Sequence, residues 1–179
     1  KEGKNDCLLI NDSYNSDLGS LDIALDFLYR RSQDKGLKRT LILSDMLETG
    51  QNAPILYRQV AQLAASRGIQ RIIGVGSEIS SCADLLRGEK SFFPTTEALI
   101  KAIERGELTL QKEIILIKGA RKFHFDQLSE YLAKKVHETI LEVNLQAMVD
   151  NLNHYRSFLK PQTKMVCMVK ASAYGAGSY

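Results

Sequence analysis

The clearest strand signal in the chain is the segment Glu113-Ile114-Ile115-Leu116-Ile117-Lys118-Gly119-Ala120-Arg121. Its apolar run stops abruptly at charged and small residues, a pattern typical of a buried strand followed by a turn. Four other segments share this pattern, and they are Cys7–Ile10, Thr40–Leu43, Arg71–Gly76 and Ser91–Phe93. The sequence therefore predicts five strands in the first two thirds of the chain.

Helical periodicity fills the segments between these predicted strands. Apolar residues recur at helical spacing over residues 20–33, with Ser20 or Asp17 as the candidate N-cap. Similar stripes predict further helices from Leu56 to Ala64, at 78–87, from Ala98 to Ile103 and from Phe125 to Val136. Because strands that alternate with helices need crossover connections, we predict an α/β fold with a Rossmann-like, mostly parallel sheet and helices on both faces.

Ligands of such sheets bind beyond the carboxyl ends of the strands. The polar strand ends predicted here are Asn11 to Asp17, Ser44 to Gly50, Gly74 to Glu78 and Lys118 to Arg121. Ordinary turns have the same polar and small composition, so composition alone does not separate a binding loop from a turn.

Length and composition exclude several classes of protein. The 179 residues, 44% hydrophobic and 25% charged, are typical of a globular protein and exclude a disordered one. The net charge of +3 is not gathered in a basic block, which argues against a nucleic-acid-binding protein. No apolar run approaches the ~20 residues of a membrane span. The N-terminus has no signal-peptide pattern and does not begin with Met, so we expect a piece of a longer chain.

Cysteine and histidine usage argues against a metal site. The three cysteines and three histidines form no CxxC, HxH or HExxH pattern. Widely spaced single cysteines favour a reducing, cytoplasmic location.

The pattern restarts after about His137. Residues 140–144 and 165–169 are predicted strands that flank a predicted helix, and the second strand runs directly into Lys170. Since this segment is too short for a domain of its own, we predict two domains, 1–137 and the opening of a second at 138–179.

Three segments of the first domain resemble a known family. Asn11–Ser20 is similar to the DDSYNANPxS segment of Mur ligases that add D-alanyl-D-alanine, Ser44–Gly50 to their GDMLELG, and Ile117–Arg121 to their VKGSR. The motifs occur in the family's order, each after a predicted strand. The departures from the family are Asn11 for Asp, Asp17 for Asn, Leu18 for Pro, Ser44 for Gly, and Tyr57 where His is common.

This resemblance implies the C-terminal domain of an ATP-dependent, amide-forming ligase of peptidoglycan synthesis. Its substrates would be UDP-N-acetylmuramoyl-tripeptide and D-alanyl-D-alanine. No GxxxxGK[ST] occurs, so the phosphate loop and the Mg²⁺ ligands would belong to another domain of the ligase. The domain at 1–137 would close over the substrates as a lid.

The resemblance also implies roles for individual residues. Asp12 would bind the ATP ribose, with Tyr14 and Asn15 near the γ-phosphate or the incoming dipeptide. The dipeptide ammonium would bind a carboxylate from Asp45 or Glu48, and its carboxylate would bind the cations Lys118 and Arg121. Turn formation, helix capping and surface ion pairs are the competing explanations for these residues.

A second resemblance lies at the end of the chain. Met168–Gly177 is similar to VVKANAYGHG, the pyridoxal phosphate motif of alanine racemases, with Ser172 for Asn and Ala176 for His. It implies that residues 138–179 are the truncated first β-α-β piece of a (β/α)8 barrel, in a bifunctional ligase and racemase. Lys170 would form the Schiff base and Tyr174 would contact the cofactor phosphate.

Most of a barrel would be missing from such a piece. We therefore expect neither racemase activity nor a stable cofactor site from this chain, and its apolar tail would favour self-association. Two alternatives stay open: a free-standing flavodoxin-like module that binds a nucleotide or a protein, and a racemase fragment behind an unrelated domain.

Overall fold

A computed structural model describes residues 1–14, 16–33, 35–47, 50–134, 142–168 and 170. The chain divides into two units, Lys1–Lys135 and Val136–Tyr179. The first unit contains five strands, each on one of the apolar runs of the sequence. They are β1 (Leu8–Asp12), β2 (Lys38–Ser44), β3 (Arg71–Val75), β4 (Glu89–Phe93) and β5 (Glu113–Lys118).

The five strands form one sheet in the order β1-β5-β2-β3-β4, and every pairing is parallel. The predicted parallel α/β sheet is thereby confirmed. The strand β2 lies in the middle, with β5 on one side and β3 on the other. In this register Asp12 lies opposite Lys118, and Leu43 lies opposite Lys118 from the other side. The carboxyl ends of β1, β5 and β2 therefore meet at one edge of the sheet.

Among the described residues of the first unit, four helices connect successive strands and a fifth follows β5. They are α1 (Leu18–Ser32), α2 (Ala53–Ser66), α3 (Ser77–Ser81), α4 (Thr96–Glu104) and α5 (Phe125–Leu132), with short 3-10 helices at Ala83–Leu85 and Arg121–Phe123. The helix predicted at 78–87 is thus the short α3 followed by a 3-10 turn. Asp17 is the N-cap of α1, where its carboxylate accepts from the Ser20 backbone N–H at 2.8 Å.

Two apolar clusters place helices on both faces of the sheet. Alternate strand residues point to opposite faces, so Leu41 and Leu43 pack with α1 and α2, whereas Ile42 packs with α4 and α5. In β5, Ile115 and Ile117 face the second cluster, while Ile114 and Leu116 face the first. The near-continuous apolar runs of the sequence thus reflect strands buried on both faces.

Charged side chains join the amino ends of the strands. The carboxylate of Glu113, which is only 2% exposed, accepts from the Arg71 guanidinium at 2.8 Å and from the Thr40 hydroxyl. Arg71 also pairs with Glu89, and Glu89 pairs with Lys38. This network lies at the end of the sheet opposite the predicted binding edge, where it gives the buried Glu113 its partners.

The second unit contains the helix α6 (Leu145–Ser157), where Asn144 is the N-cap and accepts from the Ala147 backbone N–H at 3.0 Å. The two predicted barrel strands are wrong for the residues that the structure describes, because 142–144 and 165–168 are not in strands. A parallel strand needs neighbouring strands to bond its backbone, and these segments pair with none within the described part of the chain. Residues 135–141, 169 and 171–179 lie outside the described residues.

Among the described residues, no helix combines the length and apolar character needed to cross a membrane.

The buried face of α1 gives a direct test of the core. We expect Leu25→Ala to lower the free energy of unfolding by about 2–5 kcal/mol, because Leu25 is fully buried and truncation leaves a cavity. Ile23 lies on the same helix but is 74% exposed, so Ile23→Ala is the matched control and should change stability by less than about 0.5 kcal/mol. Urea unfolding measures both, and equal effects of the two variants would contradict the assignment of the α1 face.

Candidate functional site

A buried lysine and a half-exposed carboxylate meet at the carboxyl edge of the sheet. The Nζ of Lys118 lies 2.8 Å from Oδ2 of Asp12. The Lys118 side chain is fully buried, whereas that of Asp12 is 43% exposed. Lys118 therefore binds Asp12 from the interior of the domain, and the Asp12 side chain stays partly open to solvent.

Tyr14 and Arg121 lie beside this pair. The Arg121 guanidinium stacks on the Tyr14 ring, with Cζ 4.1 Å from the ring centroid, and also donates to the Tyr14 hydroxyl. Together with Asp12 and His124, they line a cavity of about 520 Å³ that is called the β1 cavity below. The structure thus brings Asp12 and Tyr14, predicted as nucleotide contacts, together with Arg121, a predicted dipeptide contact.

Asp45 has a different environment from the one expected of a ligand-binding carboxylate. It is 4% exposed, and its two oxygens accept from the backbone N–H groups of Glu78 at 3.2 Å and Ile79 at 2.8 Å. An ideal Cβ at Gly76, where φ is +126°, would lie 2.3 Å from the Asp45 carboxylate. The carboxylate is therefore enclosed by the β3–α3 turn, and these contacts favour a structural role.

Tyr57 occupies the position where the resembled family often has His. Its side chain is fully buried, and its hydroxyl accepts from the Met46 backbone N–H at 3.3 Å. Burial raises the pKa of the Tyr57 hydroxyl, so the side chain stays a neutral phenol. Tyr57 thereby ties α2 to the segment that follows β2.

A larger cavity of about 690 Å³ opens beyond the ends of β3 and β4 and is called the β4 cavity below. Three phenylalanines give it apolar walls, and they are Phe92, Phe93 and Phe123. Glu97 and Lys122 supply opposite charges at its lining. Hydrogen bonds from its own backbone N–H and from the Thr95 hydroxyl hold the pKa of the Glu97 carboxyl below its ordinary value, so this group is ionised at neutral pH.

His124 lines both cavities. It lies between the 3-10 helix Arg121–Phe123 and α5 in a left-handed conformation, with φ +50°, which few residues other than glycine adopt. The preceding carbonyl, that of Phe123, accepts from the Thr96 hydroxyl. The segment from Arg121 to His124 therefore forms a wall between the β1 and β4 cavities.

Three predicted site residues, Asn15, Glu48 and Tyr174, lie outside the described residues. Lys170 is described and its side chain is exposed. A Schiff-base lysine relies on desolvation to become nucleophilic, and an exposed side chain does not provide it. The described residues therefore do not fit a pyridoxal phosphate site. Within the same residues, no group of three or more His, Cys, Asp or Glu is arranged to hold a metal ion.

Only part of the β4 cavity lining follows from the sequence patterns above: Asp45, Gly76 and Ser77 belong to predicted strand ends, whereas the rest does not. The end of β4, at Phe93-Pro94-Thr95, is not among the predicted polar strand ends, although a proline and two threonines directly after an apolar run are a turn signal. Glu97 and Lys122 carry no motif, so only the structure shows that they lie across one cavity.

Comparison with known proteins supports a ligase relationship for the first unit. No family model matches the chain. The chain is 32% identical over 125 residues to the UDP-N-acetylmuramoyl-tripeptide–D-alanyl-D-alanine ligase of Rickettsia prowazekii, an alignment that covers 69% of this chain and 27% of the ligase. The Escherichia coli ligase of the same name is 31% identical over 121 residues, an alignment that covers 68% of this chain and 26% of the ligase. The chain thus spans about a quarter of the length of these relatives.

Solved structures show the same fold. A MurF structure from Acinetobacter baumannii superimposes with a TM-score of 0.54 at 22% identity, covering 68% of this chain and 26% of that one. A MurF ligase from Thermotoga maritima in complex with ADP superimposes with a TM-score of 0.55 at 14% identity, covering 73% of this chain and 29% of that one. The first unit is therefore an α/β domain like the C-terminal domain of Mur ligases. The chain is distantly homologous to the C-terminal region of D-alanyl-D-alanine-adding ligases.

The buried carboxylate of Asp45 leads to a stability prediction. We expect Asp45→Ala to destabilise the fold, at about 1–3 kcal/mol for each backbone N–H left without an acceptor. Asp45→Asn keeps one acceptor oxygen and should cost less. The exposed Asp84 serves as the control through Asp84→Ala. Urea unfolding measures all three variants, and an Asp45→Ala midpoint equal to that of the wild type would show that the α3 contacts are dispensable.

Proposed function

We propose that residues 1–135 form the substrate-closing domain of an ATP-dependent ligase that adds D-alanyl-D-alanine to UDP-N-acetylmuramoyl-tripeptide. The observation that carries the proposal is the Asp12–Lys118 pair at the carboxyl edge of a parallel sheet, with Tyr14 and Arg121 lining the same cavity as Asp12. The distant homology to ligases that bear this activity in their names supports it.

The proposed reaction has two steps. A carboxylate oxygen of the tripeptide attacks the γ-phosphorus of ATP, which forms an acyl phosphate and releases ADP. The amine of D-alanyl-D-alanine then attacks the acyl carbon, an amide forms, and inorganic phosphate leaves while the amine gives up a proton. Mg²⁺ would neutralise the phosphate charge and would be held by another domain, so the described residues serve to position reactants and exclude water.

The β1 cavity is the proposed nucleotide side. The open oxygens of Asp12 are suited to accept hydrogen bonds from ribose hydroxyls, and the buried ammonium of Lys118 fixes the direction in which they point. Arg121 presents a cation beside them, placed over the Tyr14 ring. Asn15 is retained as a predicted contact on the same loop.

The β4 cavity is the proposed acceptor side. A zwitterionic dipeptide with two methyl side chains needs an anion, a cation and apolar walls. Glu97, Lys122 and the phenylalanines of this cavity supply these features. The assignment moves the acceptor contacts away from Asp45, Lys118 and Arg121. Asp45 lines the β4 cavity, but its carboxylate already accepts from the α3 backbone, and Lys118 is paired with Asp12. Arg121 lines the β1 cavity instead. Glu48 remains a predicted contact.

The fusion to an alanine racemase remains a proposal for residues 138–179. It is supported by the motif around Lys170 and Tyr174. Pyridoxal phosphate would supply the racemase chemistry once a complete barrel surrounds it, and no step of that chemistry is assigned to this chain.

An NMR titration of the ¹⁵N-labelled chain with ADP tests the nucleotide side. We expect weak binding, with shifts concentrated at Asp12, Tyr14 and Arg121. Asp12→Ala should weaken it by roughly 10- to 100-fold, since hydrogen bonds that involve a charged group are worth about 1.5–3 kcal/mol. Asp84→Ala, which removes an exposed carboxylate outside both cavities, should titrate like the wild type. An unchanged Asp12→Ala titration would overturn the proposal.

A parallel titration with D-alanyl-D-alanine tests the acceptor side. Shifts are expected around Phe93, Glu97 and Lys122, and Lys122→Ala should weaken them several-fold because the dipeptide carboxylate loses its cation. Lys101, an exposed lysine on α4 outside the cavity lining, provides the control variant Lys101→Ala. Shifts confined to the β1 cavity would place the dipeptide elsewhere and contradict this assignment.

A further inference from the structure

Ser44 is the last residue of the middle strand β2, and both hydrogen-bonding capacities of its hydroxyl are used. The side chain is fully buried. Its Oγ accepts from the Ala120 backbone N–H at 2.9 Å and donates to the Asp45 carbonyl at 2.9 Å. The first of these bonds crosses from β2 to the loop that follows β5.

That loop passes very close to Ser44. An ideal Cβ built on Gly119 would lie 3.0 Å from the Ser44 Oγ and 2.5 Å from the ring of Phe125. Contacts as short as the second do not occur for real side chains, so a side chain at position 119 would have to displace the Phe125 ring and would also crowd the serine hydroxyl. The loop backbone thus passes beside the hydroxyl at the end of β2.

Ala120 lies in the chain between Lys118, which pairs with Asp12, and Arg121, which lines the β1 cavity. Lys118 precedes it at the end of β5 and reaches Asp12, while Arg121 follows it and stacks on Tyr14. Fixing the Ala120 amide sets the direction in which the chain leaves β5, and therefore where the Arg121 guanidinium points. The resembled family motif has glycine at position 44, which offers no such hydroxyl.

We propose that Ser44 is a positioning residue of the nucleotide side: its hydroxyl holds residues 119–121 so that Arg121 stays stacked on Tyr14 and faces the ligand. The inference rests on the proposed function for the identity of the ligand. The effect of Ser44 on Ala120 and Arg121 is measurable in the protein without ligand. Ser44 itself touches no ligand in this scheme.

Ser44→Ala in the full ¹⁵N-labelled chain tests the proposal, with Ser32→Ala as the matched control. Ser32 is also buried and its hydroxyl also bonds to a backbone group, the Tyr29 carbonyl, but at the far end of α1. Three quantities are measured: hydrogen exchange of the Ala120 amide, contacts between the Arg121 side chain and the Tyr14 ring from nuclear Overhauser effects, and the affinity for ADP.

We expect Ser44→Ala to speed Ala120 exchange about ten-fold, to weaken the Arg121–Tyr14 contacts, and to lower ADP affinity roughly five-fold, in line with the loss of one hydrogen bond. Ser32→Ala should leave all three unchanged. Unchanged exchange at Ala120 would overturn the inference. Faster exchange with intact Arg121–Tyr14 contacts would also overturn it, because the serine would then be merely structural.

The ADP measurement separates the two proposals. If the wild type shows no ADP-dependent shifts in the β1 cavity, the proposed function fails, and the role of Ser44 is decided by the exchange and contact measurements in the free protein. If the wild type binds ADP and Ser44→Ala binds it equally well, the positioning role is refuted while the proposed function stands.

Discussion

The carboxyl edge of this sheet depends on how the middle strand ends. Over the three residues Ser44-Asp45-Met46, side chains and backbone bond to three neighbouring elements: the loop after β5, the amino end of α3, and Tyr57 on α2. In a parallel sheet these loops have no ladder to hold them, because the strands have already ended. Residues 44–46 replace that ladder with specific hydrogen bonds. These bonds position the loops that line both cavities.

The Asp12–Lys118 pair is the second constraint, and it explains why the candidate site lies at this point of the edge. A fully buried ammonium is costly unless it is paired, so Lys118 requires an anion at the end of the adjacent strand. The register of β1 against β5 sets Asp12 directly opposite. Because the Asp12 side chain stays 43% exposed, one carboxylate can satisfy the buried lysine and still present oxygens to a ligand.

The sequence predicted the sheet well because each strand is a bounded apolar run, and strand-end loops of a parallel sheet must converge. It predicted binding residues on the loops after β1 and β5, but it assigned Asp12 and Tyr14 to the nucleotide and Arg121 to the dipeptide, so the contact between Arg121 and Tyr14 came only from the structure. It did not predict that the Asp45 carboxylate accepts from the backbone N–H groups of α3. The sequence alone does not distinguish such a carboxylate from one that binds the ammonium of a ligand. The tail shows the other limit: Met165–Met168 has strand composition, but a strand also needs neighbours, which composition does not report.

The wall between the two cavities is fixed at both ends by hydroxyl groups. The Ser44 hydroxyl holds Ala120 on one side, and the Thr96 hydroxyl donates to the Phe123 carbonyl on the other. Both side chains are buried, at 0% and 2% exposure, so neither bond competes with water. Arg121, Lys122 and His124 therefore belong to a short segment that is hydrogen-bonded to β2 through Ser44 and to α4 through Thr96. A nucleotide on one side and an acceptor on the other would be aligned by the same backbone, which is the requirement that a two-substrate reaction places on a closing domain.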